Sequence, residues 1–547
     1  MEDLQRALQL RRAGKAAEAE SAYRNILVKR PDAATTLAAL MNLGGLLRET
    51  GRWVAAEEVF LQARDIAPNV AEVHFALGTT LKDQMRPAEA ISCYRQALHL
   101  DPSHRRAFSN LLLNLHYLPD QDSKAIFDEH VEYGRRFTDP LRTDHAHPNV
   151  ADPDRRLRIG YVSGDWHAHP VSFFMLPALM NRDRERFEVH CYADVRRRDV
   201  ISDAVRRVVD GFHEINALGD DQVASLIRQH QVDILIDLAG HSGANRLGVF
   251  ARKPAPVQVT YLGYPDTTGV RAIDYRITDA IADPPGQTDR FHTEELIRLD
   301  GCFLCYAPPP GNFPPSPANA NPITFGSFSA LAKITEPMIA SWSRILHQVP
   351  GSRLLIKSLS LQEPPLLERL RDEFLSHGIS RDRIELLGPL PGLLDHLRAY
   401  DRISIALDTF PYNGTTTTCE AMWMGVPVIT LAGQTHVQRV GATLLAAAGM
   451  SSYIARDINE YERLAVALTN DPHRLINEKT TLRERFMRSR LADVHAFVSQ
   501  LESTYRRIWR RWCEGMGGRG SRRADPNPAG NFGLPGASPS HSPSTEI

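Results

Sequence analysis

The stretch Ile405-Ala406-Leu407-Asp408-Thr409-Phe410-Pro411-Tyr412-Asn413-Gly414-Thr415-Thr416-Thr417-Thr418-Cys419-Glu420-Ala421-Met422 passes from an apolar run, through a loop, into a helix-forming segment. The apolar run reads as a strand buried on both faces, as in a parallel sheet. Gly414 permits a tight turn, and the threonines can cap the next helix. A helix start presents free N–H groups and a positive dipole end, so a diphosphate fits there without a metal ion. Threonine at every position from 415 to 418 exceeds what a cap requires, which favours phosphate binding over a plain capped helix.

Outward from this stretch the same alternation continues. Leu157–Ser163, Phe187–Ala193, Asp233–Leu238 and Val257–Leu262 read as strands of one α/β half, and Ile323–Ser327, Leu354–Lys357, Ile384–Leu387, Ile403–Asp408 and Val426–Leu431 as strands of another. Helical segments lie between them, and a Pro-rich link around Pro308–Pro322 separates the halves. Two doubly wound sheets facing each other make a cleft at the carboxyl ends of their strands, which is where ligands of such sheets bind. Nucleotide-sugar glycosyltransferases have this shape, but shape alone proves no chemistry.

Further motifs also come directly after strands. In Phe328-Ser329-Ala330-Leu331-Ala332-Lys333-Ile334-Thr335-Glu336-Pro337, Lys333 precedes a helix that Thr335 is placed to cap. A lysine there supplies a fixed cation to a leaving diphosphate. In Ser163-Gly164-Asp165-Trp166-His167-Ala168-His169-Pro170, a strand-end histidine is placed to orient a sugar or an acceptor hydroxyl. No Asp-x-Asp pair ends a strand as a metal-dependent sugar transferase needs, since Asp152-Pro153-Asp154 falls between domains.

The first hundred residues repeat. Ala56-x-x-x-Phe60-x-x-Ala63 with Pro68 recurs as Ala90-x-x-x-Tyr94-x-x-Ala97 with Pro102, a period of 34, and Leu43-Gly44 and Leu77-Gly78 lie upstream. An earlier copy, Ala19-x-x-x-Tyr23-x-x-Ile26 with Pro31, is offset by 37 and implies a three-residue insertion. These are tetratricopeptide repeats: small Ala lets paired helices approach, the aromatic fills the gap between repeats, and Pro closes the second helix. Such units are stable only when stacked, and Ser109–Leu113 reads as a further helix that joins the solenoid to the rest of the chain. The groove is expected to bind a polypeptide; a dimerisation or spacer role is the alternative use.

The resulting division is repeats in 1–117, a linker in 118–154 with one helix near Ser123–Phe137, a first α/β half in 155–310, a Pro-rich link in 311–322, a second half in 323–513 and a tail in 514–547. From Gly515 to Ile547 there are seven Gly and five Pro with no apolar periodicity, so disorder is expected there.

Composition narrows the function classes. The chain has 547 residues, 64 Lys plus Arg against 65 Asp plus Glu, and 43% hydrophobic residues, an ordinary globular make-up. A net charge of −1 lacks the electrostatic footprint of a nucleic-acid binder. The six scattered cysteines do not form a disulfide framework, and Cys302-x-x-Cys305 lacks a second pair at zinc-site spacing. Acids at Glu2 and Asp3, where a signal peptide is basic, and the lack of a long apolar run lead to the expectation of a cytoplasmic protein with no membrane partner.

These motifs resemble those of the O-linked N-acetylglucosamine transferase and SPINDLY group, glycosyltransferase family 41. The matching blocks are Arg158–Ser163 with His169, Pro254–Val259 running into Leu262-Gly263-Tyr264-Pro265, Asp274–Asp279, Phe325–Phe328 through Lys333, and Leu407–Thr409 through Glu420. The resemblance implies a protein O-glycosyltransferase of the inverting, metal-independent GT-B type, acting on Ser or Thr of polypeptides held partly by the repeat groove. It matches Lys333 to the lysine on the donor diphosphate and His169 to the active-site histidine, with Asn413, Gly414, Thr415, Thr416 and Thr417 in the phosphate loop. It also places Glu420 where an acidic residue meets the ribose and His396 where a histidine packs on the base.

Departures from the acetylglucosamine branch bear on the donor. Thr415 stands where that branch has His, Ala330 where it has Gln, and Leu393 where it has Lys; in each case this chain looks like the SPINDLY branch, as does Cys302-Phe303-Leu304-Cys305-Tyr306. The donor expected from the resemblance is therefore UDP-N-acetylglucosamine or GDP-fucose, with no metal or other cofactor. Competing readings are a repeat scaffold that senses a nucleotide sugar without turnover, and a transferase acting on a glycan or lipid. A homodimer is an alternative use of the repeats.

Overall fold

The computed structural model describes residues 2–517 apart from 30, 121, 144–145, 310, 312 and 315–321. Most of the Pro-rich link 311–322, and the tail beyond 517, lie outside the described residues.

Helices α1 (Glu2–Arg12), α2 (Ala16–Val28), α3 (Ala33–Glu49), α4 (Trp53–Ile66), α5 (Ala71–Asp83), α6 (Pro87–Leu100) and α7 (Arg105–Leu115) build the solenoid. Tyr23, Phe60 and Tyr94 are each at most 1% exposed. The reason for glycine at 44 and 78 is close approach: a Cβ on Gly44 would strike the Phe60 ring, and one on Gly78 the Tyr94 ring. The three-residue insertion lengthens α3, which has 17 residues against 13 in α5.

The stretch read as a linker is packed. Helix α8 (Ser123–Tyr133) buries Ile126, His130 and Tyr133 and continues into a π-helical turn at Gly134–Thr138.

The first sheet contains β1 (Leu157–Ser163), β2 (Phe187–Ala193), β3 (Gly211–Glu214), β4 (Ile234–Asp237), β5 (Val257–Thr260), β6 (Tyr275–Asp279) and β7 (Glu295–Leu299), in the order β3-β2-β1-β4-β5-β6-β7. All its pairings are parallel, with Ile159 beside Ile234 in the β1–β4 register. The second contains β8 (Thr324–Ser327), β9 (Arg353–Lys357), β10 (Ile384–Leu387), β11 (Ile405–Leu407), β12 (Val428–Leu431) and β13 (Ile454–Ala455), in the order β10-β9-β8-β11-β12-β13 and again all parallel. Helices α9 (Pro170–Asn181), α10 (Val200–Val208), α11 (Asp220–Gln229) and α12 (Leu247–Ala251) accompany the first sheet. The second carries α13 (Glu336–Gln348), α14 (Pro364–Ser376), α15 (Leu393–Arg398), α16 (Thr416–Trp423), α17 (Val440–Ala447), α18 (Ile458–Thr469) and α19 (Pro472–Met487).

Strands β3, β6, β7 and β13 were not among the apolar runs. In β6 the polar residues Arg276, Thr278 and Asp279 are buried with internal partners: Arg276 donates through its two terminal nitrogens to the carbonyls of Asp266 and Tyr264, Thr278 donates to Asp283, and Asp279 accepts from the Ala282 amide.

Helix α20 (Val494–Gly517) corrects the assignment of residues 323–513 to the second half alone. It returns to the first half, where Tyr505 meets Tyr161 hydroxyl to hydroxyl at 3.0 Å and Trp509 donates to the Asp152 carbonyl. It also runs past residue 513, so residues 514–517 are helical rather than part of a disordered tail.

Candidate functional site

Sheet topology decides where the site lies. In each sheet the strand order reverses between the first strand and its later neighbour, β1 against β4 and β8 against β11. Loops at such switch points leave in opposite directions and open a crevice. The loop after β1 carries His169, the loop after β8 carries Lys333, and the loop after β11 carries the threonine run. A cavity of about 350 Å³ joins the halves, lined by Phe173, Leu176 and Ile201 on one side and Leu393, Thr416 and Glu420 on the other.

The threonine loop is built on Asp408, which is buried at the end of β11. Its carboxylate accepts from the Thr409 and Gly414 amides at 2.9 and 2.6 Å and from the Thr430 hydroxyl at 2.7 Å. Burial pushes this carboxyl up from its ordinary range against those donors. Glycine at 414 is required by crowding: a Cβ there would lie 2.7 Å from the Thr418 hydroxyl and 3.0 Å from Asp408.

The threonines do not cap α16 as expected, since Thr415 at the cap position makes no side-chain cap bond. Its backbone, at φ −123° and ψ −78°, lies outside the extended conformation common to capping residues. The Thr416 hydroxyl oxygen is instead buried without a hydrogen-bond partner, and Thr416 lines the cavity between the halves. Thr417 offers its carbonyl to the Tyr400 hydroxyl at 3.1 Å. The Asn413 side chain donates to the Thr409 carbonyl at 2.9 Å and accepts from the Gly441 amide at 3.1 Å, so it shapes the loop.

Lys333 reaches this loop from the other side of the switch point. Its Nζ donates to the Asn413 carbonyl at 2.8 Å and stands 4.0 Å from the centre of the Tyr412 ring. Burial lowers the lysine from its ordinary value, opposed by the nearby Asp408 carboxylate. Thr335 does not cap α13; its hydroxyl donates to the Phe410 carbonyl at 3.2 Å and ties the lysine loop to the threonine loop.

His396 and Glu420 meet directly. His396 Nε2 lies 2.8 Å from Glu420 Oε2, while its Nδ1 accepts from Lys357 Nζ at 2.7 Å. An ammonium donates but cannot accept, so this pairing fixes the tautomer and makes Nε2–H the donor to Glu420. The Tyr400 hydroxyl donates to the same carboxylate oxygen at 3.1 Å. Lys357 and Tyr400 escaped sequence reading because one lies at a strand end and the other in a short 3₁₀ turn with no motif around either.

His169 stands across the cleft. It precedes α9, where its Nδ1 accepts from the Val171 amide at 3.3 Å and lies 3.7 Å from Asp165 Oδ2. Burial, reinforced by the neighbouring His167, lowers its imidazole to about 4. Burial raises Asp165 to about 6. His169 makes its contacts within its own loop, so the structure joins Lys333 to the threonine loop and His396 to Glu420 but leaves His169 as the separate group of the first half.

Two further contacts bind the halves to each other. Thr443 donates to Asp279 at 2.6 Å, and His436 pairs with Asp283 at 2.7 Å. Burial alone would raise Asp283, but His436 and His292 outweigh it and hold the carboxyl well below its usual range. Cys302 and Cys305 are free, buried thiols, and burial raises both, Cys305 to about 12, which suppresses thiolate chemistry.

The solenoid abuts both halves. Ser109 bonds His241 at 3.1 Å, and Arg369 of α14 donates to Gln84 at 3.0 Å. A second cavity of about 590 Å³ lies at this junction, lined by Met85, Arg86 and Tyr117 on the solenoid side and by Ile334, Thr335 and Arg369 opposite.

Comparison with known proteins agrees with this geometry. The model of glycosyl transferase family 41 matches residues 119–305 and 316–501, beginning inside the stretch read as a linker, and a tetratricopeptide-repeat model matches 35–103. A probable UDP-N-acetylglucosamine–peptide N-acetylglucosaminyltransferase SPINDLY of Petunia hybrida is 42% identical over 429 residues, 76% of this chain and 46% of the relative. The corresponding SEC protein of Arabidopsis thaliana is 31% identical over 66% of this chain and 38% of its own length. The chain thus spans less than half the length of these plant relatives. A mutant O-GlcNAc transferase of Thermobaculum terrenum superposes with a TM-score of 0.88 at 37% identity, over 94% of this chain and 98% of that one.

Proposed function

Because the chain belongs to glycosyltransferase family 41, we propose that it is a protein O-glycosyltransferase that moves a sugar from a nucleoside diphosphate to a Ser or Thr hydroxyl. The observation that carries this is the unpartnered, buried Thr416 hydroxyl at the start of α16, on the cavity between the halves, with Lys333 of the neighbouring loop bonded to the Asn413 carbonyl just ahead of it. A buried hydroxyl without a partner is costly, and a ligand oxygen would satisfy it.

In this reading the α16 start and Lys333 hold the donor diphosphate and stabilise the charge that grows as the sugar–phosphate bond breaks. They supply positive charge with no metal among the required groups. Glu420 and His396 flank the nucleoside, and the bond between them presets the carboxylate for a ribose hydroxyl. The acceptor oxygen attacks the anomeric carbon from the face opposite the leaving diphosphate, which inverts its configuration. The acceptor proton passes to neutral His169 or to a donor phosphate oxygen. The polypeptide enters through the cavity between the solenoid and the lysine loop, so the repeats present it to the cleft.

The donor is UDP-N-acetylglucosamine or GDP-fucose. Leu393 at the cavity wall and threonine at 415 are the positions by which the chain departs from the acetylglucosamine branch. A cytoplasmic site of action belongs to the same proposal; among the described residues, no helix is long and apolar enough to cross a membrane. Titration of the protein with UDP and GDP tests the reading: tight binding of one, weakened in Thr416→Val, supports it, and binding of neither overturns it.

A further inference from the structure

Away from the cleft, the open edge of the first sheet carries three histidines in one group. His190 lies on β2, His213 on the edge strand β3, and His230 is the residue that ends α11. One ring nitrogen of each lies within 4.8 Å of those of the other two, and all three residues are half-buried. His190 Nδ1 and His213 Nε2 face each other at 3.0 Å.

The surroundings are those of a ligand set. In the β2–β3 register His190 stands opposite Gly211, and the missing side chain lets His213, two residues on, lean over to it. A Cβ on Gly211 would come within 3.0 Å of both facing nitrogens, so glycine keeps that space clear. The far nitrogen of His190 is held by Glu188 Oε1 at 2.8 Å, and Nδ1 of His230 by the Tyr192 hydroxyl at 2.9 Å. Carboxylate and hydroxyl partners of this kind orient metal-binding imidazoles and fix their tautomers. The carbonyl end of α11, where His230 sits, favours a cation.

We propose that His190, His213 and His230 bind one divalent ion of the zinc class, which clasps β3 and the end of α11 to β2. An all-imidazole set selects zinc, nickel, cobalt or copper over magnesium and calcium. Three nitrogens leave one tetrahedral position for water, and half-burial gives solvent access to it. Bonds of about 2.1 Å set tetrahedral ligands about 3.4 Å apart, so the facing pair needs to spread by only a few tenths of an ångström.

The test is calorimetric titration of the untagged, EDTA-treated full chain with zinc chloride, with cobalt absorption as a second readout. One equivalent should bind at micromolar or tighter concentration, give a tetrahedral cobalt spectrum and raise the melting temperature. His213→Gln and His230→Gln should each weaken binding by about 100-fold or more, and Gly211→Ala should do so by crowding alone. Magnesium should not bind. Absence of saturable zinc binding overturns the proposal. So does binding that survives both glutamine variants, since the group His116, His130 and Asp266 also brings three ligand atoms together.

Discussion

Tyr117, at the end of the solenoid, stacks on Tyr412 of the threonine loop, with ring centroids 5.1 Å apart and planes inclined by 20°. The Tyr412 ring also carries the Lys333 ammonium at 4.0 Å. The repeat module and the cation assigned to the donor therefore share one aromatic contact. An aromatic pair of this kind contributes about 0.5–1.5 kcal/mol beyond its buried area. Tyr117→Ala should accordingly lower kcat/KM for the donor by about 3- to 10-fold, whereas Tyr117→Phe, which keeps the ring, should match the wild type. Steady-state kinetics of the two variants decide this.

Lys333→Met removes the cation but keeps an apolar stem over Tyr412. The lost charged bond to the Asn413 carbonyl costs about 1.5–3 kcal/mol of stability, a shift of a few degrees in melting temperature. Transfer should fall by at least about 100-fold, the scale for losing one preorganised charge stabiliser. A melting temperature depressed by ten degrees or more would assign Lys333 to the fold instead.

Thr416→Val separates binding from stability. The hydroxyl has no partner in the protein, so its replacement by an isosteric methyl should leave the melting temperature unchanged or slightly raised. Nucleoside diphosphate affinity should drop about 10-fold, the equivalent of one hydrogen bond to a charged group. A variant that loses stability but keeps affinity would show that the hydroxyl serves the protein alone.

How much of this was legible in the sequence depended on whether a residue's role was local. The switch-point loops announced themselves because each follows an apolar strand and opens a helix, as in Ile405–Leu407 before Thr416. Repeat architecture was legible for the same reason, since Ala, aromatic and Pro recur at fixed spacing within each unit. Long-range partners were not. Thr335 looked like a cap but bonds Phe410, and the ties of Asn413 to Thr409 and Gly441 leave no trace in the local pattern. The return of α20 to the first half rests on Tyr505 and Trp509 meeting residues more than 300 positions earlier, which no local pattern encodes. Strand β3, Gly-Phe-His-Glu at the sheet edge, has too little buried apolar surface to read as a strand.

The pH dependence of transfer should carry the mark of His169. With its imidazole lowered to about 4 by burial, His169 is neutral and able to accept a proton throughout the range from pH 5 to 8. The acid limb of kcat/KM should then lie near pH 4 rather than near the ordinary histidine value of about 6.5. His167 contributes to the lowering by repulsion, so His167→Asn should move the limb to higher pH. An acid limb already near 6.5 in the wild type would contradict an imidazole kept neutral by its partial burial.

Transfer of a sugar to protein hydroxyls in the cleft between the two sheets is measured by incubating the purified chain with labelled UDP-N-acetylglucosamine and, separately, labelled GDP-fucose in the presence of cell lysate. Label on Ser or Thr is expected from one of the two donors, lost in Lys333→Met at unchanged fold. Absence of both transfer and donor hydrolysis with each nucleotide sugar would overturn the proposed function.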